Sequence, residues 1–585
     1  KGDRLEYTSG EPFNRDEAQA WWLCLDLLKN ANRELREVDA LLEDSARRRF
    51  RLNGVRGVDD PVRMATYIRT EGWLPVDAVV HISDVNRIVE HLGGEQLYGR
   101  SASVGVRELI QNGIDAVRAR RELESRADDW GSVTLEVGED EQGPWIEVTD
   151  TGIGMSSRVL TGTLLDFGQS LWKSPDVAWE LPGLAGRGFQ SIGRFGIGFF
   201  SVFMLGDRVR VTSRRFDCGY AETNVLEFSA GIEERPLVRE AEAAERLHEG
   251  GTKVRIWLRK KPEAVGGIFA RWGDAPPMSL EELCLHLAPA SSVNLEVIQA
   301  GSAKTAARAN DWMTIAPEVL LRRLVAEEHE IDESRLKAIA ARVRPLVLDD
   351  GTMVGRACVI AHLRHEVGTG AVVVGGLRAT NLGPLHGVLL GEVLVAARNS
   401  ARPTVPAEVL AAWATEQAEL ALLNGDDTAL DRLDTADVIR RCGGDSGAHP
   451  VAMSSAGPLS FEEVVGWLRE RDQWFGVGQY ELTRNGGDGD VQLNDDVLAI
   501  ESGHMVIAGG PYPGAHDWPE DLFPDIASHR VGGCDWKLVE ACCQAWDCEP
   551  EEISVTRQEG DYGEFRGGPL TARLTRVAKE PPPGD

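Results

Sequence analysis

Residues 15–50 are rich in Ala, Leu, Glu and Arg and hold no proline or glycine, a stretch that predicts one long helix or a helical hairpin. Turn residues follow at Asn53-Gly54, Gly57 and Asp60-Pro61, with short helical pieces up to Gly93-Gly94. From about 104 to 260 helical and two-residue periods alternate. Segments 133–137, 145–150, 208–213, 225–229 and 252–258 are β-branched and near-alternating, as half-buried strands are. Pro262 and Gly266-Gly267 mark a hinge. A second mixed unit runs to about 424, with helical patterns at 317–343 and 406–423 and strands near 355–363 and 371–377. After the polar turn at Asn424-Gly425, a helix at 460–473 and strands at 497–500 and 505–508 are expected. The reading is therefore an α+β multidomain chain: a helical flank over 1–75, an α/β unit over 76–262, a second over 268–424 and a small α/β unit over 426–585. No repeat of solenoid length is visible.

A chain of 585 residues is too long for one core, and 42% hydrophobic with 27% charged residues is an ordinary globular balance. No apolar run nears the ~20 residues a membrane span needs, and Lys1-Gly2-Asp3-Arg4 does not open a signal peptide. The net charge of −30 repels phosphate backbones, which disfavours nucleic acid as a partner; Arg47-Arg48-Arg49 reads as a solvated helix face. Nine scattered cysteines suit reduced thiols in a cytoplasm. Cys534, Cys542, Cys543 and Cys548 lack paired metal spacing and read as buried thiols, with zinc the alternative.

Three segments carry chemistry. Glu108, Asn112 and Asp115 fall within an arc of about 60° on one helix, with Val106, Ile110, Gly113 and Val117 opposite. The Asn112 carbonyl is a neutral oxygen ligand for Mg²⁺, and a carboxylate one turn away can activate a water beside a phosphate. An ordinary amphipathic surface helix is the alternative. Asp150 closes a strand, where its carboxylate can accept the adenine amino proton. Gly152 and Gly154 let backbone approach a base, and Met155 offers a soft wall. A tight turn would use the same residues. In Gly193-Arg194-Phe195-Gly196-Ile197-Gly198-Phe199, three glycines open what reads as a helix over 199–205, presenting N–H groups and a positive dipole end to phosphates. Close-packed glycines in a buried helix are the alternative. The spacing is neither a Walker A loop nor a dinucleotide fingerprint. Thr252 follows at a strand start, its hydroxyl within reach of a base or a bound water.

Taken in order, these segments resemble the GHKL ATPase superfamily (gyrase, heat-shock chaperone, histidine kinase, MutL). Within it they resemble the ninety-kilodalton heat-shock chaperone family, through Ile192 to Phe203 followed by Gly206-Asp207-Arg208-Val209. The resemblance implies a Bergerat fold binding ATP with Mg²⁺ under a mobile lid, here 156–192. It implies water activation by Glu108, Mg²⁺ binding by Asn112 and adenine recognition by Asp150. The base pocket would be Gly152, Gly154, Met155 and Thr252, with Asp115 and Ala116 beside the nucleotide. Phosphate contacts would come from Gly193, Phe195, Gly196, Ile197, Gly198 and Phe199, and Ser170 would approach from the lid. Residues 373–410 resemble that family's middle domain, which sends an arginine to the γ-phosphate. The matching position falls near Ala407, leaving Arg398 and Arg402 as the catalytic candidates, with surface salt bridges as the alternative.

The flank around His81, Asp84 and Leu92 to Tyr98 resembles bacterial conflict-system ATPases that place an HD-type domain upstream. No paired His-Asp metal signature occurs in this chain, so such a domain would precede Lys1 or be absent. The expected function is an ATP-hydrolysing, chaperone-like machine acting on a protein client or partner subunit, as a dimer or larger homo-oligomer, in a stress or anti-phage setting. The alternative is an ATP sensor that gates assembly without hydrolysis. A DNA-linked gyrase- or MutL-type role is disfavoured by charge. Histidine-kinase activity is disfavoured because residues 15–50 hold no histidine.

Overall fold

The computed structural model describes residues 3–14, 16–45, 47–73, 75, 103–174, 176–193, 196, 198–232, 236–271, 276–324, 333–360, 370–383, 385–393, 401–423, 429–454, 457–478, 504–507, 534–565 and 568–579. The chain is mixed α/β, and contacts divide it into residues 1–85 and 86–585. In the first unit, the long stretch forms one helix, Ala18–Asp44. It buries Trp21, Leu25, Leu28 and Asn32, one per turn, against Val55, Val58, Met64 and Ile68. Asn32 is tolerated inside because its Oδ1 accepts the Val55 amide at 2.8 Å.

The second unit is organised around three sheets. The first has eight strands, in the order 302–307, 294–299, 132–140, 143–150, 251–257, 208–214, 224–228, 237–240. Each of the five strands expected between 133 and 258 is present within a few residues of its expected bounds. Helix Ser103–Glu124 lies on this sheet, with Val106, Ile110, Ile114 and Val117 fully buried among Val133, Leu135 and Ile146. Gly113 permits the approach: a Cβ there would sit 2.9 Å from Val133. The sheet extends past the hinge expected at 262–268, because Asn294–Gln299 pairs in parallel with Ser132–Asp140 and Ser302–Ala307 folds back on it. Pro262 and Gly266-Gly267 instead make a turn inside this domain, closed by the Phe269 amide on the Pro262 carbonyl.

A second sheet has the order 344–347, 353–359, 385–393, 370–374, 377–382, with 401–403 paired to 385–393. Helices Ala407–Leu422 and Ala429–Arg441 pack on it. The helical pattern over 317–343 resolves into Pro317–Leu324 and Glu333–Ala340. The third sheet joins 457–459, 452–454, 504–507, 473–478, 568–579 and 553–565 around helices Phe461–Leu468 and Cys534–Trp546. The strand expected at 497–500 lies outside the described residues, as do His81, Asp84 and Leu92 to Tyr98.

Candidate nucleotide site

Three elements meet at one cavity: helix Ser103–Glu124, the turn after strand Gly143–Asp150, and the glycine segment after residue 192. Glu108, Asn112, Ala116, Asp150, Gly154, Met155, Ser170, Gly193, Gly196, Gly198, Phe199 and Thr252 all line it. The alternatives of a plain surface helix, an isolated turn and a buried glycine helix do not describe this convergence.

Asp150 anchors the floor. Strand pairing sets it opposite Thr252, and its Oδ1 accepts the Gly152 amide at 2.8 Å. Burial pushes its carboxyl up to about 7, against the opposing pull of the Gly152 and Thr252 amides and of Arg120. Gly152 stands behind the wall, where a Cβ would lie 2.4 Å from that of Ala116. Gly154 has φ +65°, and a Cβ there would be 1.9 Å from the Arg214 carbonyl oxygen, so this position admits only glycine without backbone movement. Thr252 and Ser213 hydroxyls bond at 2.8 Å, and Ser213 also accepts the Met155 amide at 2.9 Å.

Glu108 is 2% exposed and lies against the glycine segment. A Cβ on Gly198 would fall 2.2 Å from Glu108 Oε2, so that glycine clears space for the carboxylate. Gly196, at φ +68°, passes against the Gln169 backbone, and its carbonyl accepts the Gly168 amide at 3.2 Å. Ser170 Oγ donates to the Gly193 carbonyl at 3.3 Å. The expected helix over 199–205 is a 3-10 helix, Gly198–Met204. The Ser201 hydroxyl donates to the Gly198 carbonyl at 2.6 Å and so competes for an acceptor an α-turn would use.

Asn112 is solvent-exposed at the cavity wall, and its amide oxygen fits a Mg²⁺ that takes its other ligands from phosphate and water. No cluster of three or more His, Cys, Asp or Glu able to hold a metal occurs among the described residues.

Some expected residues stand elsewhere. Asp115 is fully buried and does not line the cavity. Its oxygens accept the Ile192 and Gly193 amides at 2.8 and 2.7 Å, so it holds the entry to the glycine segment. Arg402 does not reach the cavity wall, because antiparallel pairing sets it opposite Glu392 and its Nε donates to that carboxylate at 2.7 Å. Phe195, Ile197 and Arg398 lie outside the described residues. Residues not anticipated include Gln111, Thr163 and Trp172 in the wall. Arg120 is another: behind the turn it donates to the Thr151 carbonyl at 2.9 Å and the Glu249 carbonyl at 2.7 Å, stacked on Trp130. No local pattern in the sequence marks Arg120.

Residues 100–249 match the family model described as histidine kinase-, DNA gyrase B-, and HSP90-like ATPase. This segment is a GHKL ATPase domain. The chain is 35% identical over 157 residues to heat shock protein 75 kDa, mitochondrial, of Bos taurus, covering 27% of this chain and 21% of that protein. It is 37% identical over 163 residues to the chaperone protein HtpG of Rhodopseudomonas palustris, covering 27% and 25%. The figures for heat shock protein 90-5, chloroplastic, of Arabidopsis thaliana are 29% over 184 residues, covering 30% and 23%. The chain thus matches about a quarter of the length of these relatives. No helix among the described residues is long and apolar enough to cross a membrane.

Proposed function

We propose that the chain binds and hydrolyses ATP and uses the cycle to move its lid, residues 156–192, and through it a protein partner. The observation that carries this reading is the placement of Glu108, Asn112 and Asp150 on one cavity with Gly193, Gly196 and Gly198. In this arrangement Asp150 accepts the adenine amino group, the glycine segment cradles phosphates with backbone N–H groups, and Asn112 holds the Mg²⁺ that screens phosphate charge. Glu108, at the far end of the same helix face, orients and deprotonates the attacking water.

The cavity measures about 170 Å³ with Thr163, Gln169 and Trp172 of the lid in its wall. On this reading these residues are the part of the wall that would move as nucleotide enters and leaves. The names of the relatives place chaperones among proteins with this domain, and the client-directed role is proposed here by that analogy. A nucleotide sensor without hydrolysis has no need of a carboxylate at position 108, so hydrolysis is the favoured reading.

The test is Glu108→Gln, which keeps shape and removes the base. Calorimetry should show ATP binding retained, while steady-state phosphate release falls about 10²- to 10⁴-fold. Undiminished release would remove Glu108 from the mechanism. Binding without release in the parent chain would establish the sensor.

A further inference from the structure

On the other flank of helix Ser103–Glu124 lies a second hollow of about 500 Å³. Its wall gathers three guanidinium groups: Arg118 and Arg121 from the helix end, and Arg187 from the short turn Ala185–Arg187 of the lid. In a chain of net charge −30, this is a local reversal of sign. Arg121 sits deepest, at 9% exposure. Its Nε donates to the Trp130 carbonyl and one Nη to the Ser292 carbonyl, each at 2.7 Å, while its second Nη is buried with no hydrogen-bond partner. Burial lowers the pKa of Arg121, and the Arg118 charge lowers it further, with Asp128 and Asp129 pulling the other way.

The two carboxylates of the wall, Glu122 and Asp128, are solvent-exposed, where water and salt screen them. Arg118 leans on the Phe189 ring, 5.7 Å from its centroid, and reaches Asp115 only at 3.5 Å. Arg187 donates to the Glu122 carbonyl and, at 3.2 Å, to Ser125 Oγ. A guanidinium carries five N–H donors in a planar fork, so both rim arginines keep donors for a ligand.

We propose that this hollow is an anion site, distinct from the nucleotide cavity, that takes a small phosphate-bearing ligand across Arg118, Arg121 and Arg187. Phosphate matches the fork geometry, and three cations from helix and lid would share its charge. Occupancy would tie residues 185–190 of the lid to the helix that carries Glu108 and Asn112. It would also draw Arg118 away from Asp115, whose carboxylate holds the lid end.

The test titrates inorganic pyrophosphate into the full chain by calorimetry and compares Arg118→Gln, Arg187→Gln and Asn112→Ala, each checked for an unchanged melting profile. Arg118 and Arg187 are chosen because they sit on the rim, whereas Arg121 also braces Trp130 and Ser292. The expected result is binding that each arginine variant weakens about tenfold or more and Asn112→Ala leaves unchanged. Absence of binding in the parent chain overturns the proposal. So does loss in Asn112→Ala, which would put pyrophosphate in the nucleotide cavity, or binding indifferent to both arginines. None of these outcomes bears on ATP hydrolysis, which is read separately through Glu108.

Discussion

Asp115 accepts the Gly193 amide at 2.7 Å across a span of 78 residues, and its other oxygen takes the Ile192 amide at 2.8 Å. The helix that shows Glu108 and Asn112 to the cavity therefore also grips the point where the lid runs into the glycine segment. Ile192 packs in turn on the turn of the second sheet, where a Cβ on Gly375 would fall 2.3 Å from Ile192 Cδ1. One buried carboxylate thus registers the chain before residue 192, the glycine segment and the neighbouring sheet.

Asp115→Asn should loosen this junction. The amide keeps one acceptor but turns an N–H₂ toward a backbone donor in a fully buried site, a mismatch of about 1–3 kcal/mol. Thermal denaturation should show the lower stability, and hydrogen exchange should show faster exchange at the Ile192 and Gly193 amides. Unchanged protection at those two positions would mean that the lid end is held by something else.

Gly154 tests the adenine turn. Its positive φ and the Arg214 carbonyl 1.9 Å from a would-be Cβ leave no room for alanine. Gly154→Ala should cost roughly 1–3 kcal/mol or more and weaken adenine-nucleotide binding, because the displaced turn carries Met155. Gly186→Ala is the control. A Cβ there meets nothing within 4 Å, so stability should stay within about 0.5 kcal/mol of the parent. Equal effects of the two changes would refute the steric argument.

Much of this site was legible because its signals are local. The arc of Glu108 and Asn112, the strand-end Asp150 and the clustered glycines each follow from short-range periodicity and backbone permissiveness. What escaped depends on residues distant in sequence. Asp115 shares the helix face of Asn112, yet its oxygens are taken by amides nearly eighty positions on. Arg402 reads equally as a catalytic cation or as one arm of a surface salt bridge until strand pairing sets Glu392 opposite. Strand Asn294–Gln299 joins the first sheet by a parallel pairing that crosses more than 150 residues, which no local hinge signal at Gly266-Gly267 can reveal. Arg120 acts by collecting carbonyls from two separate turns, a role that leaves no pattern in the sequence.

Asp150 should make the stability of the chain depend on pH. Its carboxyl stands at about 7 when folded, against an ordinary value of 3.8, with burial the largest cause. Between those values the folded chain keeps a proton that the unfolded chain has released. Its contribution is therefore fully present below 3.8, is lost as pH rises toward about 7, and is flat beyond. Across that window the slope approaches 1.4 kcal/mol per pH unit, about the free energy of one proton. Asp150→Asn carries no charge in either state and should remove this component. The variant should melt above the parent near pH 8, and the gap should close as pH falls toward about 4. Adenine-nucleotide binding should be lost in the same variant, since the carboxylate proposed to receive the base amino proton is gone. Parallel melting curves for parent and variant at every pH would show that Asp150 is already ionised in the folded chain, and that the Gly152 and Thr252 amides outweigh its burial.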